Sequence, residues 1–373
     1  MRARIVEVFG PAYLDRVVRV DGPILDASQG PPLDLGVDGE WASRGGAGLE
    51  LVDPEGFTIA IAVPADWPGP RGVVRLSRSP RTGAQGRRNL IALSWRDDLG
   101  GMGAGFAAAL GGRLTSALGP ETDPVSQTVA GLLERHRVVH QPLRVLDHAA
   151  DWTLLITSGP FGDKFPVGFR GCHAALDAHL LASFAGPCDL RIVAGLSNEQ
   201  SAPLLTAAGA RVRLFAPTIR NMLDRAKPVL EMAASIDVLC CNQAEWDALE
   251  DREEIAWRVS ILAVTAGARG ARVQFTLPDG SSAVLEAPAL ERDHPPRDTN
   301  RAGEAFAAVL IQTLLDHGWD ATRGVVEPSL MRSALDRALA AGALVIDRLE
   351  FGFPTAAEIT SALEAQKPSR APG

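Results

Sequence analysis

From about residue 97 onward, short apolar runs alternate with stretches of helical character, and no other feature constrains the fold as much. Leu114 to Leu118 precedes a helix expected over Val125 to His136. Leu190 to Ala194 precedes Glu199 to Ala208, and Val212 to Phe215 precedes Ile219 to Met232. Val238 to Cys241 precedes Glu245 to Leu249, and Ile261 to Thr265 follows. Such alternation implies a mostly parallel sheet covered by helices on both faces. Ligands in sheets of this kind bind beyond the C-terminal ends of the strands. A further short strand is expected over Ile5 to Phe9. Residues from about 22 to 96 read differently. They are rich in Gly, Pro and Arg, show no long helical period, and carry short β-like runs such as Phe57 to Val63 and Leu90 to Leu93.

The chain has 373 residues, and its 46% hydrophobic content suits one large domain with an accessory piece and a well-filled core. A formal charge of −8 argues against general nucleic-acid binding. No apolar run reaches membrane-spanning length, and the opening MRARIVEVFG has no apolar signal-peptide region, so a cytoplasmic location is expected. Cys172, Cys188, Cys240 and Cys241 lack metal-site spacing and read as buried thiols. His136 and His140 are four apart, but HRVVH lacks the Glu of a zinc-protease helix, so zinc is not expected there. The basic cluster Arg71, Arg75, Arg78, Arg81, Arg87 and Arg88 reads as a solvated loop or an anion-facing patch.

The segment Asp298-Thr299-Asn300-Arg301-Ala302-Gly303-Glu304-Ala305-Phe306 opens a helix whose apolar side continues through Val309, Leu310 and Leu314. The first amides of a helix have no partner within it, and its dipole adds positive potential at that end. Such a tip suits an anion such as a phosphoryl group. Glu304 places a carboxylate at the same tip, where it can accept a proton from an attacking hydroxyl.

Three further segments fall at predicted strand ends. Asn242-Gln243-Ala244-Glu245 reads by itself as a helix cap, with Asn242 capping and Glu245 completing a capping box. Thr265-Ala266-Gly267-Ala268-Arg269-Gly270 reads as a β-turn or as a backbone that approaches a ligand closely. Gly100-Gly101-Met102-Gly103-Ala104-Gly105 precedes an apolar helix and reads as turn chemistry or as a ligand-facing loop. Lys164 and Arg170 flank Phe165 to Phe169, as a solvated loop or as a grip on a substrate anion. Asn198, Arg220 and Asn221 follow predicted strands and are candidates for the same cleft.

Taken in order, these segments resemble the ribokinase-like (PfkB) carbohydrate kinases. The tip resembles the family signature Asp-Thr-x-Gly-Ala-Gly-Asp-x-Phe, with Arg301 in place of the first Gly and Glu304 in place of the last Asp. The resemblance covers roughly residues 98 to 365 and the first strand. It implies a doubly wound α/β fold with a mostly parallel sheet flanked by helices and a small β-rich lid. The lid and a long insertion would occupy 12–96, with a further lid segment near 151–170. The core would comprise 97–373 plus 1–11. The implied reaction is ATP-dependent phosphorylation of a hydroxyl on a sugar or sugar-like molecule, with Mg²⁺. Catalysis would fall to Glu304 as base, to the amides of Ala302 and Gly303, and to Arg301 as either a distortion or a charge-stabilising cation. Asn242, Glu245, Thr265, Gly267, Gly270, Asp298 and Thr299 would serve the nucleotide, with Glu245 reaching the metal through water. Asp15, Gly100, Gly101, Gly105, Lys164 and Arg170 would face the substrate, although the family's Asn falls at Gly105. The lid leaves open a homodimer. A different class of function also stands: a catalytically silent relative that binds a sugar, nucleotide or protein partner.

Overall fold

The computed structural model describes residues 4–24, 33–35, 39–69, 71–76, 86–158, 163–294, 296–322 and 324–366. Two nine-stranded sheets organise them. The first runs in the order Val139–Arg144, Arg113–Leu118, Val6–Phe9, Cys188–Ala194, Ala210–Ala216, Val238–Asn242, Ile261–Thr265, Ala271–Thr276 and Ser282–Ala287. Its first seven members pair in parallel, and the last two are antiparallel hairpin strands at one edge. The chain starts in Val6–Phe9 near the middle, builds outward to one side, then returns and builds to the other. The strand order therefore reverses next to Phe9, and a ligand crevice is expected above that point.

Helices cover this sheet because the strands are apolar on both faces: Val8, Leu190, Ile192, Val193, Leu214, Leu239 and Ile261 are all buried. Ala302–Asp316 and Pro328–Val345 pack together, and Met102–Leu110 lies against the former. The expected helix over Ile219 to Met232 is broken. It becomes Ile219–Leu223, Val229–Met232 and a short 3₁₀ turn. Two residues cause the break. The Asp224 carboxylate accepts the backbone N–H groups of Ala226 and Lys227, and Pro228 steers the residue before it away from helical backbone.

The second sheet holds the early strands, in the order Leu33–Leu35, Asp163–Phe169, Trp152–Ser158, Tyr13–Val20, Arg87–Gly100, Thr58–Ala62, Gly48–Val52, Gly72–Leu76 and Gly39–Arg44. It has its own core, built on Val18, Leu49, Leu51, Ile59, Leu154 and Phe165. Within the basic cluster, Arg71 ties the loop carbonyls of Ala47 and Pro64, and Arg87 pairs with Glu50 at 2.5 Å. Arg78 and Arg81 lie outside the described residues. The strand Arg87–Gly100 pairs with Thr58–Ala62 by its first half and with Tyr13–Val20 by its second. It then runs directly into the helix Met102–Leu110 of the first layer. Through that junction the second sheet is joined to the crevice. Among the described residues no helix is long and apolar enough to cross a membrane.

Candidate active site

The helix Ala302–Asp316 begins at Arg301, whose φ of 67° and ψ of 0° place it in the left-handed region. A non-glycine residue there costs about 1–3 kcal/mol and must be held by its surroundings. The holding contacts are electrostatic. Arg301 Nη1 donates to Asp98 Oδ2 at 3.1 Å and Nη2 donates to Asp298 Oδ2 at 3.4 Å. The guanidinium also lies 5.6 Å from the centre of the Phe351 ring. Asp98 Oδ1 in turn accepts the backbone N–H of Phe351 at 3.2 Å and of Leu99 at 3.0 Å. Asp298 accepts the backbone N–H of Asn300. Arg301 and Asp98 are 9% and 7% exposed, so this pair is shielded from water. The Arg301 charge is thus directed at two carboxylates. Asp98 sits near the end of the strand Arg87–Gly100, and nothing in the sequence singled it out.

The tip itself is open. No side chain caps the helix, and a Cβ built on Gly303 would meet no atom within 4 Å. Gly303 is exposed, while Ala302 and Glu304 are half-buried. The stem of Glu304 lies over Gly105, where a Cβ would come within 3.2 Å of Glu304 Cγ. Its carboxylate is near enough to Tyr13 and to Glu245 to act on both electrostatically. Glu304 therefore acts on a group of the second sheet and on a group at the end of a parallel strand.

On the second-sheet side, Tyr13 follows the first strand and pairs with Gly100 across the sheet. Burial pushes its hydroxyl up to about 12, with Asp15, Glu304 and Asp151 adding to the rise and Arg170 opposing it. The Arg170 guanidinium sits 4.9 Å from the Tyr13 ring centre. The Asp15 carboxylate lies against Gly100, where a Cβ would fall 2.5 Å from Asp15 Cγ. The glycine run therefore has a steric cause as well. Gly101 adopts a φ of 94°, and a Cβ on it would strike the Pro11 carbonyl at 2.2 Å. Asp15 thus touches Gly100, Arg170 lies over Tyr13, and Gly105 lies under the Glu304 stem. Lys164 pairs with Thr157 in the neighbouring strand, and its side chain lies outside the described residues.

On the other side, Asn242 and Glu245 form a reciprocal capping box. The Asn242 side chain accepts the Glu245 N–H at 2.9 Å, and Glu245 accepts the Asn242 N–H at 2.8 Å. The capping geometry does not exclude a ligand role, because it fixes Glu245 at the strand end. Burial pushes the Glu245 carboxyl up to about 7, the hydrogen bonds from Asn242 oppose that rise, and the negative charge of Glu304 adds to it. Thr265 is the strand neighbour of Asn242. The turn after it carries Gly267 at φ 59° and Gly270 at φ 95°, with the Ala266 N–H donating to the Gly270 carbonyl at 2.7 Å. Gly267 is exposed, and a Cβ there would meet nothing. Thr299 is exposed on the approach to the tip.

Other candidates lie elsewhere. Asn198 and Asn221 are buried and hydrogen-bond each other at 2.7 Å. Asn198 also donates to the carbonyls of Asn221 and Lys227, and Asn221 to that of Leu196. They lock two loops together instead of facing the crevice, and Arg220 is exposed beside them. His140 bonds Ser116 at 2.7 Å, and burial holds its imidazole down at about 4. His136 packs on Phe351. Among the described residues the one group of potential metal ligands is Asp151, Cys172 and His173, all buried. There Asp151 accepts the backbone N–H groups of Gly171 and His173, and His173 Nε2 accepts that of Ala117. This clasp ties the two ends of the Trp152–Phe169 hairpin to the first sheet. All four cysteines are buried and unbridged, and burial pushes the thiols of Cys172, Cys188 and Cys240 up to about 12.

Comparison with known proteins identifies the fold and the family. The ribokinase of Thermotoga maritima superposes with a TM-score of 0.62 at 15% identity, covering 97% of this chain and 99% of that one. A Burkholderia thailandensis nucleoside kinase in complex with inosine gives 0.61 at 19% identity, over 96% and 98%. The Arabidopsis thaliana ribokinase complexed with ribose and ATP gives 0.58 at 16% identity, over 97% and 99%. These superpositions establish a shared ribokinase-like fold. No curated protein sequence matches the chain at a significant level. Residues 90–357 match the family described as pfkB family carbohydrate kinase. That span is most of the chain and contains the helix tip, the capped strand end and the glycine turn, and the protein belongs to the pfkB family of carbohydrate kinases.

Proposed function

We propose that this protein transfers the γ-phosphoryl group of ATP to a hydroxyl of a sugar, nucleoside or similar small molecule. The observation that carries this reading is the uncapped tip at Ala302, Gly303 and Glu304, with an acidic side chain set between the two halves of the crevice. Phosphoryl transfer relies on positioning and on stabilising charge. The tip amides meet the charge that develops on the phosphoryl oxygens. The acceptor oxygen forms its bond to phosphorus, the bond to the β-phosphate oxygen breaks, and the acceptor proton passes to the Glu304 carboxylate. Asp15, beside Gly100, would orient acceptor hydroxyls, and the Thr265–Gly270 turn would lie along the nucleotide. Because the Arg301 guanidinium is directed at Asp98 and Asp298, its role here is to hold the tip.

The donor set also fits a divalent cation. The negative charge of Glu304 adds to the rise of the Glu245 carboxyl, and a cation between phosphates and protein would relieve that repulsion. Mg²⁺ bound with the nucleotide would neutralise phosphate charge, with Glu245 placed to reach it through water.

The direct test is ADP release from ATP across a panel of sugars and nucleosides, with and without Mg²⁺. Turnover on at least one acceptor is expected, and tight ATP binding with no turnover on any would instead favour a silent binding protein.

Glu245 supplies a second expected result. Its folded value of about 7 stands above the ordinary 4.5, so between those pH values the folded state holds more protons than the unfolded state. Without metal, this group's stabilising contribution is complete below the lower value and is lost as pH rises to about 7. Thermal melts of wild type and Glu245→Gln should diverge across that window, the variant lacking this decline. Binding of Mg²⁺–ATP to the wild type should tighten over the same rise in pH. Identical melting profiles for the two proteins would contradict the assignment.

A further inference from the structure

We infer that Gly105 is a positioning residue that makes room for a glutamate at the helix tip, so that positions 105 and 304 act as one matched pair. The inference rests on the kinase reading for its functional meaning. Gly105 is buried on the helix Met102–Leu110, which packs against the tip helix. A Cβ at 105 would lie 3.2 Å from Glu304 Cγ, 3.5 Å from Glu304 Cβ and 3.5 Å from Phe353 Cζ. The nearest contact is with a methylene, and Phe353 closes another side. A methyl at 105 therefore requires the Glu304 stem to give by a few tenths of an ångström, and a longer side chain requires more.

The chemistry of the contact is matched as well as its size. Glutamate presents an apolar Cγ to the bare backbone of Gly105 and carries its carboxylate one carbon further on. An aspartate at 304 would bring a carboxylate carbon to the level of that methylene, where the crowding is the same but a side-chain amide at 105 could donate a hydrogen bond that it cannot give to a methylene. Glycine at 105 thus suits a glutamate stem, and an amide there is offset only where the facing group is a carboxylate.

The experiment compares wild type with Gly105→Ala, Gly105→Asn, Glu304→Asp and the double variant Gly105→Asn/Glu304→Asp. The readouts are kcat on an acceptor that the wild type turns over and the melting temperature. A displacement near 1 Å costs on the order of a hundredfold in rate. Gly105→Asn should therefore lower kcat about a hundredfold, and Gly105→Ala, with its smaller displacement, on the order of tenfold. The double variant should regain at least about tenfold over Gly105→Asn, which a purely structural role at 105 does not produce. Additive losses in kcat would overturn the inference. So would a Gly105→Ala protein with full activity and the raised melting temperature expected at an ordinary helix position. If no acceptor is turned over by the wild type, the kinase reading falls and the pairing is decided by the melting temperatures. Asparagine at 105 should then lower stability with glutamate at 304 and lower it less with aspartate, and equal lowering would refute the pair.

Discussion

Glu304→Gln is expected to lower kcat by about a hundredfold to ten-thousandfold, the range spanned by removal of a positioned general base. The substitution keeps the length and shape of the side chain, so its stem still fits over Gly105 and the tip amides are undisturbed. What is lost is the acceptor for the hydroxyl proton. Melting temperature should stay close to that of the wild type, because glutamine keeps the stem over Gly105 and leaves the Arg301 pairs with Asp98 and Asp298 in place. Affinity for Mg²⁺–ATP should not weaken through loss of the charge alone. Removing the negative charge at 304 relieves the repulsion on Glu245, whose carboxyl then ionises at lower pH. The pattern to look for is a collapse in turnover with nucleotide binding retained, measured by ADP release and by direct titration. Equal turnover by the two proteins would remove Glu304 from the reaction and leave the tip as a binding element.

Much of this arrangement was legible in the sequence because its signals are local. The apolar runs from Leu114 to Thr265 became the parallel strands, since burial on both faces demands continuous hydrophobicity. The capping box at Asn242 and the helix start at Ala302 each occupy a few consecutive residues, so chain order alone displays them. What escaped depends on pairs far apart in the chain. Asp98 and Arg301 are 203 residues apart, and no spacing rule connects them. The contact of Gly105 with the Glu304 stem joins two helices far apart in the chain, so chain order does not display it. Asn198 and Asn221 read as cleft residues because polar side chains after strands commonly face ligands, yet here they satisfy loop carbonyls and each other. The helix expected over Ile219 to Met232 failed for a local reason, as Asp224 and Pro228 outweigh the apolar pattern.

Asp98→Ala should be the most destabilising single change near the site. Asp98 accepts two backbone N–H groups and the Arg301 guanidinium in a shielded setting, so its loss leaves a buried cation with one partner fewer. Breaking a buried pair from one side costs about 3–5 kcal/mol. At roughly 2–4 °C per kcal/mol for a large domain, the melting temperature should fall on the order of 10 °C. The effect should also reach the reaction. With Asp98 gone, Arg301 has lost the nearer of the two carboxylates that hold it at φ 67°, and the tip amides lose their fixed aim. The decisive comparison is Asp98→Ala/Arg301→Gly. Glycine adopts the left-handed backbone at little cost and removes the orphaned charge, so the double variant should recover part of both stability and turnover. Arg301→Gly alone should do worse than it does in that background, because it strands the Asp98 carboxylate. If the two substitutions simply add, in melting temperature and in kcat, then the ion pair is incidental and the tip is held by something other than the clasp between residues 98 and 301.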